Sequence, residues 1–174
     1  TNLTYFTGTQ WRASERMVGA ILPANGKPVY IAPAFEESTL SQFMEIRGPV
    51  HVWEEHETPF ASVGEILKEL GVTSGRIGLD ESTAFFITDG LAQANPQFTF
   101  TSATPVTAGC RMHKSEAELA LMQRAKDMTL EVHKAAGSIL REGISTVDVA
   151  AFLDAAHKKV GAAAGSFFKI VLFG

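Results

Sequence analysis

Ser62-Val63-Gly64-Glu65-Ile66-Leu67-Lys68-Glu69-Leu70-Gly71, followed by Arg76-Ile77-Gly78-Leu79-Asp80 and, after residues 81–94, by Phe98-Thr99-Phe100-Thr101, is the stretch whose reading decides the fold class. Val63, Ile66, Leu67 and Leu70 recur at the three- and four-residue steps of one helical face, Ser62 and Glu65 have capping-box spacing, and Gly71 stops the run. That pattern predicts an amphipathic helix beginning at Ser62. Residues 76–80 predict a short buried strand, 81–94 a second helix, and 98–101 a further strand that stops before Pro105. Strands alternating with helices imply an α/β layer.

Toward the amino terminus, Arg16 to Leu22, the turn Pro23-Ala24-Asn25-Gly26, and Pro28 to Ala32 predict a β-hairpin closed by an Asn-Gly signal. Ser38 to Phe43 predicts a short helix and Val50-His51-Val52-Trp53 another strand. The β-favouring residues Asn2 to Thr9 predict a strand running into a turn at Gly8, which would place Thr1 inside a domain. The whole is expected to be a mixed sheet with flanking helices.

Beyond the Thr104-Pro105 turn the pattern changes. Ser115 and Glu118 have capping-box spacing, and Leu121, Ala125, Met128, Val132, Ala135 and Ile139 form one stripe of a helix reaching roughly to Glu142, about 42 Å at 1.5 Å per residue. Ser145 and Asp148 cap a further helix whose inner face is Val149, Phe152, Leu153, Ala156 and Val160. Ser166 to Phe173 then predicts an apolar strand that opens a second domain without completing it. The expected division is 1–107 and 108–174.

With 174 residues, 45% of them hydrophobic and 20% charged, the chain can bury a core. Fifteen Lys and Arg against nineteen Asp and Glu leave a net charge of −4 with no basic run, so no nucleic-acid partner is expected. Apolar runs such as Ile170 to Phe173 fall far short of the ~20 residues of a membrane helix, so no membrane partner is expected. The single cysteine, Cys110, forms no internal disulfide, and a reducing cytoplasm is the expected compartment.

Candidate reactive groups are few. No two histidines have the helical metal-pair spacing; His51 and His56, among Glu54, Glu55 and Glu57, read as a solvated charged loop rather than an ion site. The cations Arg111, His113 and Lys114 stand close to Cys110 in sequence, yet no base-and-orienter pattern makes it a nucleophile. Residues 161–165 lack the Gly-x-Gly spacing and the following Lys-Ser of a phosphate loop. No catalytic residue and no metal ligand is assigned within the chain.

Three stretches carry a resemblance that covers nearly the whole chain. They are Asn2 to Thr9 with Ser14-Glu15-Arg16; Arg111-Met112-His113-Lys114-Ser115 with Glu118 to Ala125; and Glu142 to Thr146, Ala155-Ala156-His157 and Ser166 to Gly174. The second, an R-x-x-K-S-x-x-E pattern leading into a long helix, is the most specific. Together they resemble the prolidase and aminopeptidase P family of creatinase-like enzymes. The resemblance implies an α/β amino-terminal domain, incomplete at its start, followed by the opening helices and strand of an α+β pita-bread catalytic domain. It also implies hydrolysis of the peptide bond before proline, with two divalent ions, often manganese, held by ligands beyond this chain. A proline-containing peptide would be the substrate and a homodimer through the amino-terminal domain the assembly. On the same resemblance Arg16 corresponds to an arginine that reaches a substrate carboxylate, and Trp11 would wall the substrate pocket. The alternatives are a local ion pair for Arg16 and a core or dimer contact for Trp11. A creatinase-like hydrolase of non-peptide substrates, a non-catalytic peptide-binding pita-bread module and a self-contained α/β interaction domain remain open alternatives for the chain as a whole.

Overall fold

Val29-Tyr30-Ile31-Ala32-Pro33 is apolar at both parities, and in the computed structural model, which describes residues 1–173, it forms the central strand β2 with all five residues buried. Successive side chains of a strand point to opposite faces, so a strand apolar throughout must be covered on both. β2 pairs antiparallel with β1 (Gly19–Ile21), Gly19 opposite Ile31, and parallel with β3 (Val50–Trp53), Tyr30 opposite Val50. The sheet is therefore mixed, and the expected hairpin is present.

One face of β2 sends Val29 and Ile31 into a cluster with Met17, Trp53, Val63, Ile66, Leu67, Leu91 and Phe98. The other sends Tyr30 and Ala32 against Leu40 and Met44, with Leu3 and Trp11 packed alongside. A 3₁₀ turn at Ala34–Glu36 leads from β2 into α2 (Glu37–Phe43), which supplies Leu40. The Tyr30 hydroxyl donates to the Ile46 carbonyl at 2.5 Å, so the buried ring brings its polar tip to a partner.

The first cluster is covered by α3 (Pro59–Glu69), whose Val63, Ile66 and Leu67 are buried as the periodicity predicts. Its start differs from expectation. The helix begins at Pro59, after Thr58, and Ser62 lies inside it. Proline suits the first helical turn because its φ is pre-set and its missing N–H would be unsatisfied there anyway. A parallel pair, β4 (Gly75–Leu79) and β5 (Phe98–Ser102), joined through α4 (Phe85–Ala94), forms the second sheet. β4 is not the buried strand expected: Gly75, Arg76 and Gly78 are exposed and only Ile77 and Leu79 are partly covered. α4 starts at Phe85 rather than Glu81, because Asp80 closes a turn, its carboxylate accepting from the Ser82 N–H at 2.7 Å and its carbonyl from the Thr83 N–H at 3.0 Å. Asn95, 2% exposed, donates through Nδ2 to the Phe60 and Leu91 carbonyls at 2.8 and 3.0 Å and so ties α3 to α4.

Two further elements correct the sequence reading. Asn2–Thr7 is a helix, α1, rather than a strand: the Thr1 hydroxyl caps the Thr4 N–H, the Thr7 hydroxyl bonds back to the Leu3 carbonyl, and Gly8 at φ 72° ends the turn. A β-carbon at Gly8 would also lie 2.5 Å from that of Glu45. Thr104 and Pro105, expected to form a turn, open α5 (Thr104–Met112).

The described residues divide into two compact units, Thr1–Met112 and one from His113 onward. In the second, α6 (Glu116–Ile139) and α7 (Thr146–Lys159) both begin with the capping boxes expected from Ser115 with Glu118 and Ser145 with Asp148. α6 stops at Ile139, short of Glu142, with Leu140 extended. The α6 stripe is only partly covered: Val132 is 1% exposed, whereas Leu121 is 72% exposed. Ser166 to Phe173 does not form the expected strand. A strand exists by pairing, and no ladder reaches these positions among the described residues.

Candidate functional site

Arg16 sits just before Met17, whose side chain is anchored in the first cluster, and its guanidinium is held on three sides. Nε donates to Oε1 of Glu55 at 2.6 Å, and Nη2 lies in ion-pair contact 2.6 Å from the same oxygen. Nη1 donates to Glu15, and the guanidinium carbon lies 5.3 Å from the centre of the Phe35 ring. The arginine side chain is 34% exposed, so the group is reachable from solvent yet already paired. The Glu55 hydrogen bond, then the charges of Glu55, Glu15 and Glu36, outweigh partial desolvation and hold its pKa above the ordinary value. Glu36 contributes charge without a bond to match: its Oε2 is buried and has no hydrogen-bond partner among the described residues.

The two residues assigned to substrate binding occupy different neighbourhoods. Trp11 packs against the Tyr30, Ala32, Leu40 and Met44 cluster, on the sheet face away from Met17 and Trp53. Arg16 makes the local ion pair with Glu15 that its sequence suggests, but the stronger geometry is with Glu55, 39 residues away. Glu55 and Phe35 are therefore the members of this cluster that the sequence reading missed. Glu55 follows Trp53 by two positions and Phe35 follows β2 by two, so both belong to segments that leave adjacent parallel strands.

Other polar groups serve the fold. Arg111 Nη1 donates to Asn2 Oδ1 at 2.7 Å, Asn2 Nδ2 donates to Glu81 at 3.2 Å, and the Thr107 hydroxyl donates to the same Glu81 oxygen at 3.2 Å. This chain of bonds ties α1 to α5 and to the β4–α4 turn. Burial pushes the neighbouring Asp80 carboxyl up, but the Ser82 hydroxyl and N–H outweigh it and the pKa is lowered. His51 does not lie in a loop with His56; it is on β3, its Nε2 3.5 Å from Glu69. Among the described residues no group of three His, Cys, Asp or Glu could hold a metal ion. Cys110 is exposed and unbridged. Two open hollows, one at Leu140, Arg141, Gly143, Ile144 and Phe173 and one along α6 from Ala125 to His133, are lined by neither Trp11 nor Arg16.

In the second unit Asp154 of α7 accepts from Lys158 at 2.9 Å and from Lys169 at 3.1 Å. These two lysines hold its carboxyl at a pKa of about 2, well below the usual range.

Residues 1–113 match the Creatinase/Prolidase N-terminal domain family. Among curated proteins, the chain is 29% identical over 180 residues to a putative dipeptidase, YkvY, of Bacillus subtilis, covering 99% of this chain and 48% of that protein. It therefore spans about half the length of the curated relatives it matches. Among solved structures, dipeptidase PepE of Mycobacterium ulcerans superposes with a TM-score of 0.78 at 25% identity, covering 92% of this chain and 43% of that one. A prolidase of Thermococcus sibiricus shares the fold at a TM-score of 0.72 and 23% identity, over 91% of this chain and 42% of that one.

Proposed function

Because the chain belongs to the Creatinase/Prolidase N-terminal domain family, we propose that it is the amino-terminal portion of a peptidase that cleaves the bond preceding proline, a Xaa-Pro dipeptidase or aminopeptidase. The observation that carries this reading is the match of 99% of the chain to less than half of a putative dipeptidase, with the fold of prolidases over both units' sequence. In this reading residues 1–107 form the amino-terminal domain and 108–174 open the catalytic domain, the division falling within α5.

The described residues do not fit a dinuclear metal site, since no cluster of ligand side chains comes together in them. The metal ions, with manganese the candidate, would be held by residues outside this sequence and would supply Lewis-acid activation of water. What this chain would supply is substrate recognition. Arg16, on the segment before β1, would meet a peptide carboxylate through the planar edge that suits two parallel hydrogen bonds. Trp11, half-buried against Tyr30 and Leu40, would wall the substrate pocket with the part of its ring that this cluster leaves uncovered. A homodimer built through the amino-terminal domain and a cytoplasmic setting complete the proposal. No helix among the described residues is long and apolar enough to cross a membrane.

The test is hydrolysis of a Xaa-Pro dipeptide with added Mn²⁺, comparing the 174-residue chain with a longer chain of the length of its relatives. Activity in the longer chain alone supports the proposal. Activity in the 174 residues would overturn the placement of the metals, and silence in both would overturn the peptidase reading.

A further inference from the structure

We infer that Glu55 is an internal competitor for the carboxylate site of Arg16: it occupies the edge of the guanidinium that an incoming carboxylate needs and must be displaced when one binds. The inference rests on the reading of Arg16 as a substrate-carboxylate residue and adds a regulatory group to it.

A guanidinium recognises a carboxylate best through a pair of parallel N–H groups on one edge. In Arg16 the Nε/Nη2 edge is covered by a single oxygen, Oε1 of Glu55, which accepts from Nε at 2.6 Å and lies 2.6 Å from Nη2 in ion-pair contact. One carboxylate oxygen that takes a hydrogen bond from Nε alone is a less complete match than two oxygens taking one donor each. A free carboxylate arriving at this edge can make the two-oxygen arrangement that Glu55 does not. Meanwhile Glu15 holds Nη1 and the Phe35 ring lies against the guanidinium, which fixes the plane so that the exchange changes the partner and not the orientation.

Energetics favour exchange over a permanent lock. The Glu55 side chain is 57% exposed and that of Arg16 34%, so the pair is bathed in solvent and its net strength is that of a surface ion pair. Such a pair is weak enough for a ligand to break and strong enough to lower apparent affinity. Glu55 also sits two residues past β3, outside the strand ladder, where a side chain can swing without disturbing the sheet.

The competition is measured in a full-length protein carrying these residues, by following the ¹H–¹⁵N signal of the Arg16 Nε–H while L-proline is added as a carboxylate probe that has no peptide bond to cleave. Glu55→Gln keeps the shape and removes the competing charge, and is expected to lower the half-saturating proline concentration about two- to five-fold, the range set by an exposed ion pair. An equal response in the original protein and in Glu55→Gln overturns the competition while leaving Arg16 as a carboxylate residue. A weaker response in Glu55→Gln overturns it too, and makes Glu55 a positioning residue. No response of the Arg16 signal in either protein overturns both the competition and the reading of Arg16 beneath it.

Discussion

The indole N–H of Trp53 donates to the carbonyl of Met17 across 3.2 Å, bridging the end of β3 to the residue that follows Arg16. Both groups are buried, and both belong to segments that carry the Arg16 cluster: Met17 is next to Arg16, and Trp53 precedes Glu55 by two positions. The bond fixes the spacing of the ion pair from inside the core.

Replacing the indole tests that link. Trp53→Phe would leave the buried Met17 carbonyl without its donor, at a cost of about 1–3 kcal/mol in urea unfolding. The Arg16 Nε–H signal is expected to shift in the same variant, because its partner's anchor has moved. An unshifted signal with reduced stability would confine Trp53 to the core.

Arg16→Ala, made in a full-length protein, is expected to raise KM for a Xaa-Pro substrate by about ten-fold or more with kcat nearly constant, the loss of a charged hydrogen bond worth about 1.5–3 kcal/mol. Unchanged kinetics would return Arg16 to the status of a surface ion pair.

The Asp154 carboxyl, lowered by its lysine partners to about 2, gives the second unit an acid dependence whose sign follows from linkage. Its folded-state pKa lies below the ordinary value of 3.8, so its stabilising contribution is complete above about pH 4 and is lost as pH falls through about 2. A carbon-detected titration of the Asp154 carboxyl should show the low midpoint, and Lys169→Met should raise it. Asp154→Asn should flatten the acid dependence of amide exchange across residues 162–169.

Gly165 leaves no room for a side chain beside the same carboxylate. It has φ 79°, and a β-carbon there would collide with the Asp154 oxygens. Gly165→Ala is therefore expected to break the Lys169 contact and to raise the Asp154 midpoint even though no charge has changed. Ser115→Ala, by contrast, removes one capping box and is expected to cost about 1 kcal/mol with no effect on that titration.

Much of the fold was legible wherever one local signal had no competitor. The hairpin around Asn25-Gly26, the buried face of α3 and the two capping boxes are such cases. α1 was misread because Tyr5, Phe6 and Thr7 favour strands by type, whereas the helix is secured by a cap on Thr1 and a left-handed Gly8. α5 was hidden by Pro105, which reads as a breaker but is tolerated in a first turn. The run from Ser166 has the composition of a strand, and composition does not supply a pairing partner. For the candidate site, Arg16 could be singled out from its neighbours in sequence; Glu55 could not, since what joins them is the pairing of β2 with both β1 and β3 and the Trp53 bond.

The two-sided burial of β2 has an implication for variation along the chain. Strands covered on one face accept exchange at every second residue, so a scan of all substitutions across them is a dashed record. Across Val29 to Pro33 the record should be unbroken, with polar replacements rejected at all five positions, because neither parity has water to turn to. Such a block, short and without rhythm, would mark the middle of the sheet in mutational data even to an observer who had never seen the fold.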